Sequence, residues 1–132
     1  MVTIYIYYFQ FSNYEPLPGY KINGEATLGE NIADLGGIII AYDAFKLTEQ
    51  GKNNELIDGL TPEQRFFLGF SHIWAGSSRP ETAAQMLIVD THSPGLYRVN
   101  GPLSNLTEFY AAFDIKENDP MHRAENVRAK IW

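Results

Sequence analysis

The 132-residue sequence contains no cysteine, so it offers no disulfide, no thiolate metal ligand and no cysteine nucleophile. Basic residues are also scarce, because ten Lys and Arg stand against sixteen Asp and Glu, for a formal net charge of −6. This balance lacks the positive charge by which proteins bind nucleic acid or an anionic membrane surface. We therefore expect neither partner.

Hydrophobic runs are short. The apolar and aromatic run from Met1 to Phe9 cannot span a bilayer, and it lacks the basic start and small-residue cleavage site of a signal peptide. No membrane span is therefore expected, and the chain shows no export signal. The β-branched and aromatic residues of this run favour a strand. We predict a short strand-like segment over residues 1–9 that docks on the rest of the chain.

The remainder predicts one mainly helical unit with an aromatic-rich core. Thr61, Pro62 and Gln64 form the pattern of a capped helix start. The apolar stripe that we expect this helix to bury comprises Phe66, Phe67, Phe70, Ile73 and Trp74. Further helices are predicted over residues 28–48, 80–87 and 106–113. Residues 90–103 contain two prolines and two glycines and are predicted to form a loop.

Two carboxylates, Glu30 and Asp34, lie four residues apart in the predicted helix 28–48. Residues at this spacing project from the same helix face, one turn apart. Their neighbours are apolar, and two anions facing a core are costly unless a cation or hydrogen-bond donor meets them. The pair therefore predicts either a metal ion with a supporting acid or a solvated face, and the spacing leaves both open.

A second group of candidate residues lies in the predicted loop. His92 stands among turn-forming residues, and loops commonly carry functional side chains. Asp90 can accept a hydrogen bond from one ring nitrogen and leave the other facing outward. Arg98 adds a planar donor for a carbonyl or carboxylate group. The alternative is an ordinary turn at Asp90 and a surface ion pair for Arg98.

Four segments in this order resemble one family. They are LGENIADLGG at residues 28–37, FLGFSHIW at 67–74, RPE at 79–81 and DTHSPGLYR at 90–98. They are similar to the C-terminal part of the catalytic domain of neprilysin-type zinc endopeptidases, which include the endothelin-converting enzymes and bacterial oligopeptidases. The resemblance implies a helical C-terminal subdomain of a thermolysin-like (gluzincin) metallopeptidase over residues 10–132, after a segment at residues 1–9 outside the family pattern.

The resemblance implies a role in metal binding for the carboxylate pair. Glu30 corresponds to the third protein ligand of a catalytic zinc, and Asp34 to the acid that holds a zinc-bound histidine in its tautomer. The other two ligands of the family come from a His-Glu-x-x-His motif, which also supplies the general base. That motif is missing here, since His72, His92 and His122 are not spaced four residues apart. We expect zinc to be absent or incompletely bound in this chain.

The resemblance also implies contacts with a peptide substrate. His92, held by Asp90, would donate a hydrogen bond to the oxyanion of the tetrahedral intermediate. Arg98 would hold a substrate backbone carbonyl on the primed side. Ile73 and Trp74 would form part of the pocket for the apolar side chain just after the scissile bond. An extracytoplasmic setting, periplasmic or secreted, is typical of the family.

Three hypotheses follow for a chain that we expect to begin inside a catalytic domain. It is inactive alone towards peptides and acts when a partner chain supplies the missing helix. Alternatively, it is a non-catalytic helical module that binds a protein, a peptide or a second copy through an exposed apolar face. As a third alternative, a homodimer rebuilds a metal site, with His72 or His92 of one copy meeting Glu30 of the other.

Overall fold

The protein is mainly helical, as predicted. The computed structural model describes residues 2–131, so Met1 and Trp132 of the predicted segments lie outside the described residues. Within this range the helices are α1 Val2–Ser12, α2 Leu28–Leu47, α3 Glu49–Lys52, α4 Pro62–Ile73, α5 Pro80–Val89, α6 Gly95–Leu103 and α7 Thr107–Phe113, followed by a 3₁₀ turn at Glu125–Val127. None of these helices is both long and apolar enough to cross a membrane.

The predicted N-terminal strand is wrong, because this segment forms helix α1. Tyr7, Gln10 and Phe11 are buried at helical spacing, and α1 packs against α2 and α6. Ile4 and Phe9 remain exposed. Burial of one helical face in tertiary contacts therefore outweighs the strand preference of the composition. Helix α1 continues without a break from residue 9 to residue 10, the predicted start of the peptidase subdomain.

Helix α2 is the centre of the fold, and it packs against α1, α3, α4 and α6. Its residues Leu35 and Ile38 lie in a core to which α1, α4, α6 and α7 also contribute. The other buried hydrophobic residues of that core are Tyr7, Phe11, Ile22, Phe67, Leu103, Leu106, Phe109 and Ala129. The predicted extent of this helix, residues 28–48, is confirmed to within one residue.

Helix α4 begins as predicted. The Thr61 hydroxyl accepts from the Gln64 backbone N–H at 3.2 Å, and the Thr61 N–H donates to Gln64 Oε1 at 3.0 Å. Its apolar stripe is only partly buried: Phe67 is 1% exposed, whereas Ile73 at the end of the helix is 71% exposed. The expectation that Ile73 is buried is therefore wrong, and the stripe emerges from the core towards its C-terminal end.

The loop predicted over residues 90–103 is wrong in its second half, which forms helix α6. Pro94 precedes the helix, and its carbonyl accepts from the Arg98 N–H at 3.1 Å. Gly101 is needed here because a Cβ at this position would lie 2.4 Å from the Phe11 ring. Pro102 lies near the end of α6 and is buried with Leu103. Packing against α1 therefore stabilises a helix that glycine and proline disfavour locally.

An ion pair between α2 and α4 gives the stability a pH dependence. Lys46 Nζ lies 2.6 Å from Glu63 Oε1. This hydrogen bond is the largest cause that lowers the pKa of Glu63 and raises the pKa of Lys46. Stabilisation is thus complete above the ordinary glutamate pKa of about 4.3 and is lost as the pH falls through the lower folded-state value. It is also lost at high pH, when the pH rises through the raised pKa of Lys46.

We expect a double-mutant cycle of Lys46→Ala and Glu63→Ala to give a coupling free energy of about 0.5 kcal/mol at neutral pH. In acid, below the folded-state pKa of Glu63, the coupling should vanish. Urea unfolding at the two pH values measures it. Equal coupling at both would contradict this assignment.

Candidate active site

The predicted carboxylate pair meets a cation from α6. Arg98 donates from Nε to Asp34 Oδ2 and from Nη2 to Asp34 Oδ1, both at 2.7 Å. The Arg98 and Asp34 side chains are only 12% and 10% exposed. The hydrogen bond to Asp34 is the main cause that raises the pKa of Arg98, so the guanidinium is permanently charged. This bidentate pair explains how the Asp34 carboxylate is tolerated among apolar neighbours.

Trp74, which follows α4, supports the same guanidinium. Its ring centroid lies 4.0 Å from Arg98 Cζ, a cation–π contact. Arg98 is therefore held at its edge by Asp34 and on its face by Trp74. Three helices thus converge on one charged group, and the sequence contained no local signal for this stack.

His92 lies between two carboxylates. Its Nδ1 is 2.8 Å from Asp90 Oδ1, and its Nε2 is 3.2 Å from Glu30 Oε2. The His92 backbone N–H also donates to Asp90 Oδ1 at 2.9 Å. Both interpretations of Asp90 are thus present at once, because it caps a turn and it orients the imidazole. The hydrogen bond from the His92 ring is the largest cause that lowers the pKa of Asp90.

Glu30 completes the cluster on the solvent side. Its side chain is 44% exposed, and Oε2 lies 3.7 Å from Arg98 Nη2 in addition to its contact with His92. Glu30 and Asp34 project together, as the helical spacing predicts. The structure therefore joins Glu30, Asp34, Asp90, His92 and Arg98 into one chain of charge contacts.

The residues of this cluster offer some of the donors that a zinc site needs. A catalytic zinc takes three protein ligands and keeps one open position. Glu30 offers a carboxylate that faces solvent, and the side chain beside it is His92. Among residues 2–131, no group of three or more His, Asp or Glu side chains is placed to hold a metal ion. The residues described here therefore do not form a complete zinc site.

A cavity of about 660 Å³ adjoins the cluster. Its walls include Leu17, Trp74, Met86, His92, Leu96 and Arg98. Ile73 does not line it and instead lines a second cavity of about 440 Å³ between α2 and α4. The structure thus brings Trp74, but not Ile73, next to His92 and Arg98. His72 is exposed, and His122 packs against Tyr110 away from this cluster.

The fold matches part of two solved proteins, one of them a zinc metalloprotease. Mycobacterium tuberculosis zinc metalloprotease ZMP1, solved in complex with an inhibitor, matches 99% of this chain with a TM-score of 0.93 and 39% sequence identity. PepO from Lactobacillus rhamnosis HN001 matches 99% of the chain with a TM-score of 0.82 and 31% identity. The match covers 21% of the ZMP1 chain and 19% of the PepO chain.

Residues 6–129 match peptidase family M13, and the chain belongs to this family. It is 43% identical over 130 residues to human membrane metallo-endopeptidase-like 1 and 41% identical over 126 residues to human endothelin-converting enzyme 1. These matches cover 94% and 93% of this chain, but 16% of each relative. The chain therefore spans about one-sixth of the length of these relatives. The resemblance to neprilysin-type endopeptidases is confirmed.

Proposed function

We propose that this chain forms the C-terminal, helical part of the active site of a zinc endopeptidase that cleaves peptides. The observation that carries the proposal is the linked set of contacts from Asp90 through His92, Glu30 and Arg98 to Asp34. Family M13 membership makes a peptidase role the natural use of such a site. An extracytoplasmic setting, typical of the neprilysin-type enzymes, is part of the proposal.

In this proposal Glu30 contributes one ligand to zinc. Its carboxylate faces solvent, whereas Asp34 is occupied by two hydrogen bonds from Arg98. Asp34 therefore holds Arg98 in place, and it also orients any zinc-bound histidine that a further segment places beside it. The ligands that this chain does not supply, and the general base, belong to a His-Glu-x-x-His helix from elsewhere.

The remaining residues act on the substrate. His92 donates a hydrogen bond to the oxyanion of the tetrahedral intermediate, with Asp90 holding its ring through Nδ1. Arg98 uses Nε and Nη2 on Asp34, and Nη1, which has no acceptor within residues 2–131, takes a substrate carbonyl. Trp74 forms part of the wall for the apolar side chain after the scissile bond, whereas Ile73, at the end of α4, lines the groove between α2 and α4.

The apolar groove between α2 and α4 is the proposed seat of the missing helix. On α2 it continues the stripe of Glu30 and Asp34, and its wall there comprises Ile38, Ala41 and Phe45. From α4 it receives Phe66, Gly69, Phe70 and Ile73, and the polar residues Gln50 and Arg65 also line it. An amphipathic helix that lies in this groove would bring side chains from its end to Glu30. The proposed occupant of the groove is thus the helix that carries the two histidines of the His-Glu-x-x-His motif.

Complementation tests the proposal. A polypeptide that carries the family's His-Glu-x-x-His helix is mixed with this chain, and hydrolysis of a fluorogenic peptide is followed with and without a zinc chelator. Chelator-sensitive activity that requires both parts is expected, because neither holds a complete set of ligands. Peptide binding without hydrolysis, in a mixture that forms a stable complex, would favour the non-catalytic binding module instead.

Glu30→Ala gives a prediction for the isolated chain. After dialysis against a weak chelator, we expect substoichiometric zinc in both the wild-type chain and the variant, since one carboxylate cannot retain the metal. The free energy of unfolding should change by no more than about 1 kcal/mol, because the pairs that Glu30 makes are half exposed. Metal analysis and urea unfolding measure the two quantities.

Glu108→Ala on α7, another exposed glutamate, is the matched control. Near-stoichiometric zinc in the wild-type chain and in this control, lost in Glu30→Ala, would contradict the prediction. That result would favour the homodimer in which His72 or His92 of one copy meets Glu30 of the other. Strong dimerisation without zinc would favour the non-catalytic module.

A further inference from the structure

The residue next to Glu30 is a fully buried amide. Asn31 has 0% exposure in α2, and a buried amide is costly unless its donors and acceptors are paired. Its Nδ2 donates to Thr27 Oγ1 at 2.9 Å, and its Oδ1 accepts from Ser93 Oγ at 2.8 Å. The Thr27 hydroxyl donates in turn to the Asn23 carbonyl at 2.9 Å. A line of hydrogen bonds thus leads from the start of α2 to the residue before Pro94.

Ser93 is the buried end of the segment that carries His92. It is 3% exposed, whereas Thr91 and His92 are exposed. The position of the His92 ring is therefore not fixed by burial of the ring itself. The Ser93–Asn31 hydrogen bond joins the loop to α2 at the residues that directly follow His92 and Glu30. The 3.2 Å approach of His92 Nε2 to Glu30 Oε2 thus lies beside this bond.

We propose that Asn31 and Ser93 are positioning residues that set the distance between His92 and Glu30. The bond acts as a latch, because it allows the loop one register on α2 and so one place for the imidazole. The claim that this hydrogen bond sets the distance between His92 and Glu30 is argued from the structure alone. The claim that the distance matters for catalysis rests on the proposed function. Even a small displacement of the His92 ring would matter for catalysis, because misplacing a reacting group by about 1 Å can cost about 100-fold in rate.

The first test uses the isolated chain with Ser93→Ala. The readout is the NMR nuclear Overhauser effect between the His92 ring protons and the Glu30 side-chain methylene protons, compared at one pH with the wild-type chain. We expect a clear effect in the wild type and its loss in Ser93→Ala. An unchanged effect in the variant, or none in the wild type, would overturn the latch.

Two further variants separate positioning from stability. Ser104→Ala removes another buried hydroxyl, which donates to the Gly101 carbonyl at 2.9 Å, and should keep the His92–Glu30 signal. The double variant Asn31→Leu with Ser93→Ala replaces both partners by apolar groups, which can restore stability without the hydrogen bond. We expect its free energy of unfolding to lie closer to that of the wild type than that of Ser93→Ala does, although Thr27 Oγ1 loses its donor, and the signal still to be lacking. Loss in Ser104→Ala, or recovery in the double variant, would overturn the proposal.

The contribution of the Ser93–Asn31 hydrogen bond to catalysis is tested in the complemented assembly. There Ser93→Ala should lower kcat by about 100-fold, with KM little changed, because the substrate-binding contacts of Arg98 and Trp74 are intact. A fall in kcat with an unchanged KM supports the latch, and an unchanged kcat overturns its catalytic role. An assembly that is inactive with the wild-type chain overturns the proposed function, whereas the NMR comparison still decides the geometry. The comparison of Ser93→Ala with Ser104→Ala suffices if the double variant does not fold.

Discussion

Arg98→Ala is expected to lower the free energy of unfolding by about 3–5 kcal/mol, because removing one partner of a nearly buried pair leaves the other charge uncompensated. Asp34 is 10% exposed and receives two hydrogen bonds from this guanidinium. The variant also removes the group that lies over Trp74. Urea unfolding followed by circular dichroism measures the loss. A loss below 1 kcal/mol, within the range of a surface ion pair, would contradict the buried-pair assignment.

Three comparisons identify the cause of that loss. Arg98→Lys keeps the charge but not the two parallel donors, so an intermediate loss is expected. Asp34→Leu combined with Arg98→Met removes both charges and should cost far less than Arg98→Ala alone. The matched control is Arg128→Ala, because Arg128 lies over the Tyr110 ring at 4.9 Å and its side-chain hydrogen bond goes to a hydroxyl. Its loss should be about 0.5–1 kcal/mol.

His92→Ala is expected to lower kcat of the complemented assembly by about 10²–10³-fold, the effect of removing one oxyanion donor. KM should change little, because the hydrogen bond to the oxyanion forms only on the way to the transition state. Steady-state hydrolysis of a fluorogenic peptide gives both constants. The free energy of unfolding should change little, since the His92 side chain is 46% exposed.

Asp90→Asn and His72→Ala complete this experiment. Asp90→Asn should also lower kcat, but less than His92→Ala, because the ring loses the negative charge of its orienting acceptor and keeps its donor. His72 is exposed on the last turn of α4 and has no place in the proposed site, so its replacement should leave kcat unchanged. Equal effects from His72→Ala and His92→Ala would contradict the role of His92.

The elements predicted correctly depend on contacts close in sequence. The Thr61–Gln64 capping box spans only four residues, so it could be predicted without any knowledge of the fold. The common face of Glu30 and Asp34 likewise follows from the helical repeat alone. The four family segments identified the peptidase class because they occur in one order with characteristic residues.

The predictions that are wrong concern segments whose conformation depends on distant partners. Ser93 followed by Pro94 is a possible helix start, but Gly101 and Pro102 counted against a helix. The structure forms α6 nevertheless, because Gly101 allows close contact with Phe11 of α1. Helix α1 forms for the same reason, because its buried face packs against α2 and α6. Local propensities differ by about 1 kcal/mol per residue or less, except for proline at about 3 kcal/mol, so the packing of several buried side chains outweighs them.

The sequence by itself determined the family, the mainly helical class and the residue types of the candidate site, because these depend on local patterns and segment order. Only the tertiary structure decided what meets each carboxylate. Arg98 is 64 residues from Asp34, and Ser93 is 62 residues from Asn31. Periodicity along a helix gives the direction of a side chain but not its partner across the fold. The partner is chosen by the packing of α2, α4 and α6, where buried charges and amides persist only if they are paired.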